Sequence, residues 1–85
     1  MEKSIHSASY AVFLKVLKKA REDAGLTQTE LAQKIGETQT FISKCERGER
    51  RVDVVELRTV CQAFGLSLKQ FVATLEKAMS KVKRS

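Results

Sequence analysis

The chain contains no proline and no tryptophan, and its aromatic residues are one tyrosine and four phenylalanines. Few aromatic residues disfavour a sheet, and the lack of proline leaves helices free of a residue that would break them. No apolar run approaches the roughly 20 residues that are needed to span a bilayer. The first residues also lack the apolar segment of a signal peptide. We therefore expect an all-α protein of the cytoplasm that does not span a membrane.

Cysteine and histidine are equally scarce. Cys45 and Cys61 lack the spacing of metal ligands and stand at apolar helical positions, so we expect both to be small core residues. His6 is the only histidine, and it has neither a second histidine nor a paired acid beside it. The sequence therefore predicts no metal, no small-molecule cofactor and no catalytic site.

Positive charge is in excess, because 16 lysines and arginines face 10 aspartates and glutamates, for a net charge of +6. Such an excess favours polyanionic partners such as nucleic acid or an anionic membrane. On charge alone, a basic protein with no polyanionic partner is an equally good interpretation. The basic C-terminal stretch lacks the apolar face and aromatic anchors of a membrane-surface helix, so a membrane partner is not expected.

The positions of the glycines, the capping residues and the periodic spacing of apolar residues all indicate five helices in one small domain. We predict helices over residues 9–24, 28–35 and 39–47, and two more that begin after Asp53 and Ser67. The domain is expected to span residues 9–76, between a flexible lead-in over 1–8 and a basic tail over 77–85. The predicted core is Leu17, Leu31, Ile35, Ile42, Leu57, Val60, Phe64, Leu68 and Phe71.

The central stretch, residues 27–48, reads TQTELAQKIGETQTFISKCERG and predicts two short helices around a tight turn. Thr27 and Thr38 can cap these helices, and Gly36 marks the turn. The outward side of the second helix is polar or cationic, and consists of Gln39, Thr40, Ser43, Lys44 and Arg47. A helix with one buried edge and such an outer face suits a DNA major groove. Phe41 lies between the two sides; core packing is favoured over contact with thymine methyl groups.

Several segments together carry a family resemblance. They are Arg21, Gly25-Leu26-Thr27-Gln28, Glu30-Leu31-Ala32, Ile35-Gly36, Gln39, Ile42-Ser43, Glu46-Arg47-Gly48, Leu57, Cys61, Phe64-Gly65, Ser67-Leu68 and Phe71. Over roughly residues 9–75 the chain resembles the phage repressor/Cro-like, or XRE-type, helix-turn-helix family. The resemblance implies a compact five-helix lambda-repressor-like DNA-binding domain. Many relatives have a proline after the second helix of the motif, where this chain has Glu49-Arg50-Arg51-Val52.

Physical chemistry and the resemblance together suggest which residues contact DNA. Residues expected to contact bases are Gln39, Thr40 and Lys44, which can pair with adenine, a thymine methyl group and guanine. Residues expected to contact phosphates are Gln28, Ser43, Arg47, Arg50 and Arg51. The resemblance further implies an ion pair between Arg21 and Glu46, whereas the residues alone also allow a solvated surface arginine.

The predicted function is sequence-specific binding of a double-stranded DNA operator by a small transcriptional regulator. One recognition helix reads few base pairs, so we expect a homodimer on a pseudo-palindromic site. The predicted dimer contact lies on the last helix and consists of Phe71, Val72, Leu75 and Met79. The alternative is a protein-interaction module of the same fold, such as an antitoxin or an adaptor. Phage repressors and restriction–modification controllers, and activators and repressors, are not distinguished by these residues.

Overall fold

The computed structural model describes residues 7–81, which form five α-helices. These are α1 (Ala8–Asp23), α2 (Gln28–Ile35), α3 (Gln39–Glu46), α4 (Val54–Ala63) and α5 (Leu68–Met79). No strand occurs among the described residues, so the predicted fold class is confirmed. No helix within 7–81 is long and apolar enough to cross a membrane.

The predicted lead-in over 1–8 and the predicted basic tail over 77–85 lie partly outside the described residues. Ala8 is already helical, so α1 begins before the predicted position 9, and α5 continues through Met79 into the stretch predicted as a tail. The early start follows from Ser7, whose hydroxyl accepts a hydrogen bond from the Tyr10 N–H at 3.0 Å and thereby caps α1.

Each helix begins at a short polar side chain that accepts a hydrogen bond from the backbone N–H three residues on. The capping residues are Ser7, Thr27, Thr38, Asp53 and Ser67. In α2, α4 and α5 the residue three positions on bonds back to the backbone N–H of the capping residue, which completes a capping box; these residues are Glu30, Glu56 and Gln70. The helix boundaries are therefore fixed mainly by local contacts.

The turn between α2 and α3 depends on Gly36, which has a φ of +73°. In this conformation the Glu37 N–H donates to the Ala32 carbonyl oxygen at 2.8 Å and closes the end of α2. A Cβ atom at position 36 would meet nothing within 4 Å, so the positive φ, and not lack of space, favours glycine. Thr38 then caps α3, so three residues carry the chain from one helix to the next.

The core forms where the inward sides of the five helices meet. Its buried residues are Phe13, Leu17, Leu31, Ala32, Ile42, Cys45, Leu57, Val60, Cys61 and Phe71. The predicted core residues Ile35, Phe64 and Leu68 are only half-buried, because each stands at a helix end where fewer neighbours cover it. Burial raises the pKa of the Cys61 thiol to about 11, so it stays protonated as a small core residue.

The expected contact surface on α5 requires a correction. Phe71 is 1% exposed and packs edge-on against Phe13, with 6.2 Å between the ring centroids. It therefore belongs to the core and cannot also form an outer contact. Leu75 and Met79 are half-buried on the same inward stripe, since they follow Phe71 at intervals of four residues. Val72, which lies beside this stripe, is 38% exposed.

Leu31→Ala is expected to lower the free energy of unfolding by about 2–5 kcal/mol, because Leu31 is 3% exposed and its loss leaves a cavity. Val55 is 71% exposed, so the matched control Val55→Ala should change it by no more than about 0.5 kcal/mol. Denaturant melts of both variants check the assignment. Equal effects at the two positions would contradict the described core.

Candidate nucleic-acid interface

Helix α3 has one side packed within the protein and the other open to solvent. Ile42 and Cys45 are buried, and the helix as a whole packs against α1 and α2. Gln39, Thr40 and Lys44 are exposed. The structure thus brings the three residues predicted to contact bases together on one open helical surface, here called the recognition surface (Gln39, Thr40 and Lys44).

A buried ion pair holds the C-terminal end of α3 against α1. Arg21 Nε donates to Glu46 Oε2 at 2.6 Å, and Arg21 Nη2 donates to Glu46 Oε1 at 3.2 Å. The two side chains are only 9% and 7% exposed. Arg21 Nη1 also donates to the Leu26 carbonyl oxygen at 2.7 Å. The hydrogen bond to Glu46 raises the pKa of Arg21 although burial opposes this, so the arginine stays charged.

Two glutamine side chains extend this ion pair to the recognition surface. Gln28 Nε2 donates to Glu46 Oε1 at 2.9 Å, and Gln39 Nε2 donates to Gln28 Oε1 at 2.6 Å. A continuous series of side chains therefore runs from Arg21 in α1 to Gln39, the first residue of α3. The orientation of the Gln39 amide is fixed by contacts within the protein before any ligand is present.

Sequence reasoning missed the bond between Gln28 and Gln39. It assigned each residue a separate role, one at a phosphate and the other at a base. A signal was available, because each glutamine is the first residue of its helix and the short turn brings the two helices together. The direction of the two amide groups, however, depends on Glu46, which lies 18 residues from Gln28 in the chain.

Arg47 and Glu49 form an exposed ion pair at the end of α3. Arg47 Nε and Nη2 donate to the two Glu49 carboxylate oxygens at 2.8 and 3.2 Å, and Arg47 Nη1 donates to Ser43 Oγ. The bond from Arg47 lowers the pKa of the Glu49 carboxyl, so the pair persists at acidity where a free glutamate begins to take up a proton. Ser43 and Arg47 thus lie together at the edge of the recognition surface.

The two arginines of the following loop make contacts within the protein. The Arg50 guanidinium faces the Glu56 carboxylate through two bonds of 2.8 and 2.7 Å and lies 4.5 Å from the centroid of the Phe41 ring. The Arg51 guanidinium lies 4.7 Å from the centroid of the Tyr10 ring. Phe41 is half-buried and packs against the core, in agreement with the favoured interpretation. Arg50 is thus turned towards a carboxylate of α4.

Comparison with known proteins identifies the family of this chain. A family model described as helix-turn-helix matches residues 17–71, more than half of the chain. The chain belongs to the XRE-type helix-turn-helix family. The match runs from the middle of α1 to Phe71 and includes the whole of α2 and α3. The XRE-type family consists of DNA-binding regulators and not of enzymes, as the sequence predicts.

Individual relatives agree with this assignment to the XRE-type family. The chain is 35% identical over 57 residues to the HTH-type transcriptional regulator y4dJ of Sinorhizobium fredii (strain NBRC 101917 / NGR234), covering 67% of this chain and 74% of that protein. An XRE-family like protein from Pseudomonas syringae pv. tomato str. DC3000 has a TM-score of 0.78 at 42% identity, covering 87% of this chain and 90% of that one. The wild-type restriction–modification controller protein C.Esp1396I has a TM-score of 0.82 at 30% identity, covering 91% of this chain and 100% of that one.

Arg21→Met and Glu46→Gln are each expected to lower the free energy of unfolding by about 3–5 kcal/mol, because each leaves a buried group without its charged partner. The double variant should lose much less than the sum, which denaturant melts of the four proteins measure. Lys19 and Asp23 provide the control, since this pair on the same helix has side chains 74% and 65% exposed. Its coupling should not exceed about 0.5 kcal/mol. Equal coupling in the two pairs would count against a stabilising role for the buried pair.

Proposed function

We propose that this protein binds double-stranded DNA sequence-specifically and acts as a small transcriptional regulator by occupying an operator. The observation that carries the proposal is the recognition surface, which stands exposed on a helix whose opposite side is buried. An α-helix with its side chains is about 10–12 Å in diameter, so α3 can enter a major groove about 12 Å wide. Family membership and the net charge of +6 support the proposal.

The hydrogen bond from Gln39 to Gln28 supports a specific base contact. A glutamine amide has two N–H donors and one carbonyl acceptor. Gln39 donates one N–H to Gln28, which leaves the other N–H and the carbonyl oxygen to match N7 and N6 of adenine. The methyl group of Thr40 can contact a thymine methyl, and Lys44, one turn further on, can reach guanine O6 or N7. A hydrogen bond within the protein thus orients the Gln39 amide before DNA binds.

The proposed phosphate contacts lie on α2, on α3 and in the loop that follows α3. Gln28 has a second amide N–H beside the one donated to Glu46, and it stands at the N-terminus of α2, where the helix dipole favours an anion. Ser43, Arg47 and Arg51 are the other proposed contacts. Arg47 must at least partly leave Glu49 to receive a phosphate. Contacts of this type hold the duplex in register but carry no base information.

We also propose that the protein acts as a homodimer on a pseudo-palindromic operator. Two recognition helices can occupy half-sites about 34–36 Å apart and thereby read twice as many bases. The proposed contact is the outer side of α5, where Val72 is exposed beside the half-buried Leu75 and Met79. Phe71 supports this surface from the core.

A second candidate function is a protein-interaction module, such as an antitoxin or an adaptor. Val54 and Val55, adjacent in the first turn of α4, are 63% and 71% exposed and favour a protein contact there. Selection of binding sites from random duplexes separates the two functions. An enriched sequence supports DNA recognition, whereas no enrichment favours the interaction module.

Gln39→Ala should weaken binding to the selected duplex by about 1–3 kcal/mol and leave binding to random duplexes nearly unchanged, because it removes a base contact. Arg47→Ala should weaken both and reduce the salt dependence by about one counterion, because it removes a phosphate contact. Salt titrations on both duplexes measure these effects. Lys69→Ala on α5 is the control for loss of a positive charge elsewhere. A loss for Arg47→Ala on the selected duplex alone would contradict its assigned role.

Val72→Glu should convert a dimer into a monomer, because it places a charge in the proposed apolar contact. Sedimentation at micromolar concentration, with and without a palindromic duplex, measures the change. Val55→Glu introduces the same charge on α4 and should leave the dimer intact. If Val55→Glu alone abolishes the dimer, the contact lies on α4; a wild-type monomer that binds one half-site tightly would exclude a functional dimer.

A further inference from the structure

One side chain, Arg50, connects the three consecutive segments that follow the turn. Its Nη1 and Nη2 donate to Oε1 and Oε2 of Glu56 in α4 at 2.8 and 2.7 Å. Nη1 also donates to the Arg51 carbonyl oxygen in the loop at 2.8 Å. The Arg50 Cζ atom lies over the Phe41 ring in α3, 4.5 Å from the ring centroid. Recognition helix, loop and α4 therefore meet at one guanidinium.

The partner carboxylate is itself held in place. Glu56 Oε1 accepts a hydrogen bond from the Asp53 N–H at 3.1 Å, and the Asp53 carboxylate accepts one from the Glu56 N–H at 2.8 Å. Arg50 thus binds to a capping box and not to a freely rotating side chain. The bond from Arg50 lowers the pKa of Glu56, so the carboxylate remains charged in neutral solution.

The loop between α3 and α4 lacks the backbone restraint that a proline would provide. Residues 47–53 contain no proline, so no ring fixes a backbone φ angle between α3 and α4. The hydrogen bond to the Arg51 carbonyl and the fork on Glu56 supply an equivalent restraint through a side chain. A planar guanidinium can make a two-point bond and stack on a ring at the same time, which a lysine ammonium cannot do.

We propose that Arg50 is a positioning residue, which fixes α3 relative to α4 through Phe41 and Glu56 and so controls base discrimination by the recognition surface. This inference rests on the proposed DNA-binding function, and it replaces the expectation that Arg50 contacts a phosphate. Phe41 lies next to Thr40 in the chain and one turn before Lys44. A small rotation of α3 at Phe41 therefore moves both of these side chains relative to a groove.

Glu56→Gln distinguishes the two possible roles of Arg50, because a positioning residue and a phosphate ligand predict opposite changes in affinity for the selected duplex. Glutamine can still complete the capping box, so the variant removes the charge while α4 keeps its start. A positioning role predicts that binding to the selected duplex weakens relative to random duplexes, by about two- to thirtyfold. If Arg50 instead holds a phosphate, its release from Glu56 tightens binding to every duplex and makes the salt dependence steeper. That second result overturns the proposal.

Arg50→Lys provides the complementary variant, because it keeps the charge and loses the planar fork. We expect the same loss of discrimination with an unchanged salt dependence. Phe41→Leu removes the ring while the ion pair remains, and its effect should not add to that of Arg50→Lys, since both break one contact. Arg58→Lys on α4 is the control for the substitution itself. Full discrimination in Arg50→Lys and Phe41→Leu alike would overturn the positioning role.

A measurement without DNA tests the role of Arg50 independently of the proposed DNA binding. In the free protein, Glu56→Gln should shift the backbone amide resonances of Phe41 and its neighbours in α3, while melting curves report that the fold is retained. Unchanged α3 resonances contradict the positioning role whatever the DNA result. If the wild-type protein enriches no duplex sequence, the proposed function fails; if it does and the variants discriminate equally well, only the role of Arg50 fails.

Discussion

The ion pair between Arg21 and Glu46 is the contact on which the arrangement of the recognition surface depends. It joins residues 25 positions apart in the chain and removes two charges from water. Such burial is tolerated only where further polar groups complete the pair, and here the Leu26 carbonyl and the Gln28 amide do so. The same contacts orient Gln28 and, through it, Gln39. Stability at the centre and geometry at the surface are therefore set by one group of side chains.

Three arginines show how one residue type serves different purposes according to its surroundings. Arg21 is enclosed and structural, Arg50 stacks on a ring and faces a capping carboxylate, and Arg47 pairs with a glutamate in open solvent. All three carry the same charge, so their roles differ because of how far each is removed from water and how rigidly its partner is held. The net charge of +6 thus describes the attraction of the whole chain to a polyanion. It does not indicate which side chains contact the polyanion.

Much of the fold could be predicted from the sequence because the relevant signals are local. Capping residues and glycines gave α2 its bounds, and apolar periods identified most of the core. The pairings between side chains were harder to predict from the sequence. Glu56 stands at the capping-box position three residues after Asp53, which is a local pattern, but its second partner, Arg50, is not part of that pattern. The sequence pattern places Phe71 both in the core and in an outer contact. Helical spacing indicates which side of the helix a residue occupies, but it does not indicate how deeply neighbouring helices bury that residue.

The lengths of the helices determine how much each one depends on packing against its neighbours. Helices α2 and α3 have eight residues each, and isolated helices shorter than about 12–15 residues are marginal in water. Helix α1 has 16 residues and packs against both α3 and α5. It is therefore, among the described helices, the one that depends least on its neighbours for its own stability. Helix α3, which presents Gln39, depends on packing against α1 and α2 for its order, so a destabilising substitution in α1 can loosen the recognition surface without changing any residue on it.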